Sequence, residues 1–131
     1  MKFHHIGIFV DCIERGINEL NRIYEITSIG DPIFDEIMGV KIIFLKDSSD
    51  IRYELVAPFG YDSPVTGVLQ RGHNFLNHLA YTTKRFEYEL SKLRKQGMVP
   101  LGPPQNAKAF DGQRVSFFLT KLNYIIEVIE D

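Results

Sequence analysis

"FHHIGIFV", residues 3–10, and "FLNHLAYTT", residues 75–83, each set a histidine inside a short, mostly apolar run with the period-two alternation of a β-strand. Adding 73 to a residue number carries the first run onto the second, with His5 falling on His78. The same shift continues without a gap: Gly39 falls on Gly112, Lys41 on Arg114, Phe44 on Phe117, Asp50 on Asn123 and Glu54 on Glu127. Ile13, Ile17 and Leu20 likewise fall on Phe86, Leu90 and Leu93. Apolar coincidences are a weak repeat signal, because strands have similar compositions. The polar coincidences carry the duplication.

Period and punctuation predict the same element order in each half, β-α-β-β-β. In the first, a strand over about 2–10 is followed by a helix over about 11–24 with Asp11 as N-cap. A strand or loop through "SIGDPIFDEI" comes next, then strands in "GVKIIFLK" and "IRYELVAP" around a turn at "DSSD". In the second, "FLNHLAYTT" leads to a helix in "KRFEYELSKLRKQG" closed by Gly97, an irregular strand in "MVPLGPPQNAKAF", and strands in "QRVSFFLT" and "NYIIEVIE". The halves are expected at about 1–58 and 75–131 of one domain spanning 1–131. A connector over about 59–74 would hold a short helix around Val65 to Leu69.

Alternation assigns faces. Ile6, Ile8 and Val10 share the face that lies under the helix, which turns His5 away from it. His4 and His73 read as ordinary structural histidines, since His4 falls on Asn77 under the shift. In the last strand of each half, Glu54 lies between Arg52 and Val56 on its face, and Glu127 between Ile125 and Ile129. A carboxylate among apolar neighbours needs a partner, because a buried lone charge costs several kcal/mol or takes up a proton, on the order of magnitude set by desolvation. Two imidazoles and two carboxylates form a borderline donor set suited to one divalent Co, Ni, Zn, Mn or Fe ion. Gly7 and Ala80, beside the histidines, leave room for it.

The 131-residue chain is long enough to bury a core, and its formal net charge of −2 lacks the basic footprint that nucleic acid or an anionic membrane requires. No signal peptide or membrane span is predicted. The single Cys12 permits no internal disulfide, which suits the cytoplasm, and nothing nearby marks it as a nucleophile. Arg52, Lys41 and Arg114 are candidate anion contacts. Glu87, Glu89, Lys92 and Arg94 read as the wet face of a helix.

Taken together, these residues resemble the vicinal oxygen chelate superfamily, which pairs βαβββ modules. The resemblance implies an α+β fold: a cupped, incomplete mixed β-barrel around a divalent metal, with helices outside. In the branch containing methylmalonyl-CoA epimerase and glyoxalase I, the metal ligands fall on His5, Glu54, His78 and Glu127, and Glu127 and Glu54 become the catalytic carboxylates. "ELVAPFGYDSPVTGVLQ", residues 54–70, is similar to the corresponding segment of epimerase-like proteins. Asn77 stands where those enzymes commonly have a further histidine, "NAKAFDG" replaces their Gly-rich loop, and Ile42 occupies the place of an extra catalytic Glu found in some. "GINELNRIY" lacks the aromatic pair typical of glyoxalase I. The activity implied is metal-dependent proton transfer next to a carbonyl, of the epimerase type. The alternatives are a glyoxalase I type lyase and a small-molecule-binding module without catalysis; a ring-cleaving Fe(II) dioxygenase fits less well, having one carboxylate ligand. An acyl thioester or thiol adduct as substrate, and a homodimer, are expected from the resemblance alone.

Overall fold

The computed structural model describes all residues, Met1–Asp131. In chain order the elements are β1 (Lys2–Phe9), α1 (Ile13–Ile23), β2 (Ile26–Ile29), β3 (Ile33–Asp35), β4 (Val40–Asp47), β5 (Arg52–Pro58), α2 (Pro64–Arg71) and β6 (Leu76–Thr83). They continue with α3 (Phe86–Lys95), β7 (Val99–Pro100), β8 (Gln105–Asn106), a 3-10 turn at Lys108–Phe110, β9 (Arg114–Leu119) and β10 (Ile125–Glu130). The ten strands form one open mixed sheet in the order β2-β4-β5-β1-β6-β10-β9-β7, with β3 beside β4 and β8 beside β9. This is the α+β arrangement that the resemblance implies.

Backbone contacts group the residues into two compact units, Ile6–Asn77 on the one hand and Met1–His5 with His78–Asp131 on the other. In the first, β1 runs parallel to β5 and β5 antiparallel to β4, so that Glu54 is in register with Gly7 on one side and Phe44 on the other. In the second, β6 runs parallel to β10 and β10 antiparallel to β9, which sets Glu127 in register with Ala80 and Phe117. Parallel partners need a crossover, and the helix supplies it. Each carboxylate strand therefore has a small residue to one side and a phenylalanine to the other.

The hairpins behind these strands match in backbone detail. Asp50 and Asn123 both adopt the left-handed conformation, with φ of 62° and 65°, a state that Asp and Asn tolerate better than other residues. Asp50 N–H donates to the Asp47 carbonyl and Asn123 N–H to the Thr120 carbonyl, both at 3.1 Å. These turns hold the register of the strands they join, and a one-residue slip would put each glutamate on the opposite face.

Under α1 lie Ile13, Leu20, Ile43, Leu45, Tyr53, Leu55 and Ala57, with Ile6, Ile8 and Val10 packed against them. Under α3 lie Phe86, Leu90, Phe118 and Val128, with Leu93, Met98 and Ile126. Burying a side chain such as Leu45 or Leu55 contributes roughly 1.5–3 kcal/mol. Two local expectations need correction. Cys12, in extended geometry, occupies the N-cap position of α1 without a side-chain cap bond, because the Asp11 carboxylate is taken by Arg15 one turn on. Glu89 is buried rather than wet, 3.9 Å from the N-terminal ammonium of Met1, and Glu87 receives a hydrogen bond from Arg114 at 2.7 Å.

Candidate metal centre

β1 delivers His5, β6 His78 and β10 Glu127, all three almost completely buried. The strands fix their positions through the ladder, and the rings are held by aromatic neighbours. Phe110 stacks on His5 at 5.9 Å between centroids, while Phe117, the register partner of Glu127, meets the edge of His78 at 5.9 Å.

His5 Nε2 lies 3.2 Å from His78 Nε2, and each of these nitrogens lies 3.3 Å from Glu127 Oε2. Donor atoms bound to one first-row ion at roughly 2.1 Å and separated by such distances would subtend about 100° at it, between octahedral and tetrahedral values. With both rings neutral and their protons on Nδ1, the triangle is made of three lone pairs, which repel one another unless a cation sits among them. The donor chemistry and spacing thus fit a divalent ion. Glu54, buried at 4 % exposure on β5, presents its carboxylate on the face of Gly7. Strand alternation along β1 places His5 on that same face, two residues away.

The cations divide differently from the reading of the sequence. Arg114 makes paired hydrogen bonds of 2.8 Å to both carboxylate oxygens of Glu130, a third to Glu87, and sits 4.7 Å above the Phe86 ring. Those hydrogen bonds hold Arg114 charged and the Glu130 carboxyl below its ordinary value, so Arg114 is a structural clamp rather than an anion contact. Lys41 is 4.0 Å from Glu14 and 5.5 Å from the Phe34 ring centroid. Arg52 is half-buried on the Glu54 face of β5. Cys12 is exposed, and its thiol donates to Glu14 at 3.1 Å. His73 is exposed.

Two contributors escaped the sequence reading. His4 Nδ1 lies 2.8 Å from His5 Nδ1, and Phe110 touches both rings. The doubled histidine was a visible signal for the first. For Phe110, the signal was its place in "NAKAFDG" ahead of β9.

An open mixed sheet of repeated βαβββ units, with buried imidazoles and a carboxylate converging from its strands, defines a class of α+β proteins suited to holding a metal. Residues 4–117 match the sequence model of the Glyoxalase/Bleomycin resistance protein/Dioxygenase superfamily, and the chain belongs to that superfamily. Among solved structures, it is similar to methylmalonyl-CoA epimerase from Mycobacterium tuberculosis, with a TM-score of 0.79 and 20 % identity, covering 98 % of this chain and 87 % of that one. A variant of the Streptomyces coelicolor methylmalonyl-CoA epimerase, in complex with 2-nitronate-propionyl-CoA, matches with a TM-score of 0.77 and 19 % identity over 100 % of this chain and 97 % of that one. A glyoxalase I variant from Zea mays gives a TM-score of 0.66 and 14 % identity over 100 % of this chain and 44 % of that one. At these identities the likeness is one of fold. No curated protein matches the sequence.

Proposed function

We propose that the protein is a divalent-metal-dependent enzyme that moves a proton at the carbon next to a carbonyl, of the methylmalonyl-CoA epimerase type. Its ligands would be His5, Glu54, His78 and Glu127. The observation carrying this reading is that His5 Nε2, His78 Nε2 and Glu127 Oε2, all on buried side chains, lie 3.2–3.3 Å from one another. A bound cation there would act as a Lewis acid toward the substrate's carbonyl oxygen. The histidines, neutral and oriented by aromatic rings, hold the site and do not themselves exchange protons. Glu127 takes the proton from the substrate carbon and returns it, with Glu54 as the second carboxylate able to do so. The apolar residues about them keep water away from both. Gly7 and Ala80, both small, are in register with the two glutamates.

The substrate class in this reading is an acyl-CoA thioester, in keeping with the epimerase neighbours, one of which was solved with an acyl-CoA analogue. A glyoxalase I type reaction on a glutathione adduct is the second reading, supported by two His and two Glu side chains as the donor set and by the glyoxalase I neighbour. The protein would work as a homodimer in the cytoplasm. No helix of the structure is long and apolar enough to cross a membrane.

The test is elemental analysis of untagged protein, followed by proton NMR in heavy water with methylmalonyl-CoA and, separately, methylglyoxal with glutathione. Loss of the methylmalonyl α-proton signal is expected, and Glu127→Gln should abolish it. Lactoyl-thioester formation would instead select the second reading. Bound metal with neither substrate turned over would leave the non-catalytic binding module, and metal-free protein would remove the ligand set.

A further inference from the structure

The doubled histidine at residues 4 and 5 is the feature the proposed chemistry leaves unused. Neighbouring residues on a strand point to opposite faces, so His4 cannot offer a donor atom beside that of His5. Its ring nevertheless turns back along the strand, crossing the His5 ring at 81° with centroids 5.1 Å apart. The two Nδ1 atoms meet at 2.8 Å, the distance of a good hydrogen bond, and one proton must lie between them. Phe110 packs face-on against His5 and edge-on against His4, at 5.9 and 5.5 Å, which limits the rotation of either ring.

Where that proton belongs follows from the other end of the His5 ring. If His4 donated, a neutral His5 would carry its own proton on Nε2, aimed at His78 Nε2 and Glu127 Oε2 and blocking the lone pair a metal would take. With His5 Nδ1–H as donor and His4 Nδ1 as acceptor, Nε2 is bare. We propose that His4 is a positioning residue for the metal centre: it accepts the hydrogen bond from His5 Nδ1 and so fixes the tautomer and ring plane in which Nε2 is a ligand. The second half offers a pointer to the minimum requirement. Asn77 stands one residue before His78, as His4 stands before His5, and an asparagine amide oxygen occupies nearly the place of an imidazole Nδ1.

The inference rests on His5 being a ligand, and the test separates the two. Wild-type protein, His4→Leu and His4→Asn are purified untagged, stripped of metal and titrated with Co(II) against a chromophoric chelator, with the visible cobalt bands recorded. His4→Leu should lose roughly 10–100-fold in Co(II) affinity and show altered cobalt bands, as outer partners of metal-bound histidines usually do when removed. His4→Asn should restore most of the affinity. Nitrogen-15 NMR of the metal-free proteins supplies a readout independent of binding: His5 should be the Nδ1–H tautomer in wild type and His4→Asn, and a mixture in His4→Leu. Equal Co(II) affinity in wild type and His4→Leu, or an Nε2–H tautomer of His5 in metal-free wild type, overturns the positioning role. Failure of the wild type itself to bind Co(II) overturns the ligand assignment beneath it.

Discussion

The layers beneath the two main helices occupy corresponding positions and are built of different material. Under α1, Ile43, Leu45, Tyr53, Leu55 and Ala57 make a broad apolar bed, and the Tyr53 hydroxyl donates to Asp47 at 2.8 Å. Under α3, the same positions hold Ser116, Phe118, Ile126, Val128 and Glu130. One large ring fills the centre, a serine hydroxyl is buried without a hydrogen-bond partner, and a glutamate at the margin is clamped by Arg114. Both halves nevertheless share the left-handed turns at Asp50 and Asn123 and the register of Glu54 and Glu127. The turns and the ladder, not the identity of the core side chains, therefore determine which face the functional residues take. A core tolerates many apolar solutions of similar volume, whereas a register tolerates one.

The largest effect expected from this contrast is in the centre of each layer. Phe118→Ala should cost about 3–5 kcal/mol and Leu45→Ala about 2–5 kcal/mol, read from urea unfolding, because each removes a fully buried side chain with little room for collapse. A cost under about 1 kcal/mol at Phe118 would show that the second layer is not organised around that ring. Next comes the buried serine: Ser116→Ala should raise stability by about 1 kcal/mol, since the hydroxyl is desolvated without compensation. Destabilisation instead would mean that the hydroxyl is satisfied in solution, and the two layers would be more alike than they look.

The smallest effect sits at the margin and shows itself through pH. Hydrogen bonds from Arg114, opposed by burial, lower the Glu130 carboxyl from its ordinary 4.5. A carboxyl depressed on folding stabilises the protein above the unfolded value, and that stabilisation is lost as pH falls through the folded value. Wild type should therefore exceed Glu130→Ala, which copies Ala57 of the first half, at neutral pH. The gap should close progressively below about pH 4.5, and it should be modest because the pair is partly exposed to water. A gap unchanged down to pH 2 would deny the clamp any electrostatic role.

Much of this architecture could be read from the chain because its signals are local and doubled. Ile13, Ile17 and Leu20 mark a helix by spacing, "DSSD" marks a turn, and the shift of 73 ties one half to the other. The sequence also nominated His5, Glu54, His78 and Glu127, since strand alternation and the repeat restrict which polar side chains leave the helix layer. What escaped depends on side-chain reach. Asp11 was taken for a cap but turns to Arg15, Glu89 was assigned to the solvent but is buried near the N-terminus, and Arg114 was offered to a ligand but is held by two carboxylates. His4 was read as structural because the repeat sets it on Asn77 rather than on a second histidine. A short ring that bends along the strand is invisible to a rule based on periodicity alone.

The grouping of Met1–His5 with His78–Asp131 bears on how the protein folds. Residues 1–5 group with a segment that begins at His78, whereas Ile6–Phe9 of the same strand pair with the nearer β5. Such long-range closure slows folding and leaves an apolar strand open to capture meanwhile.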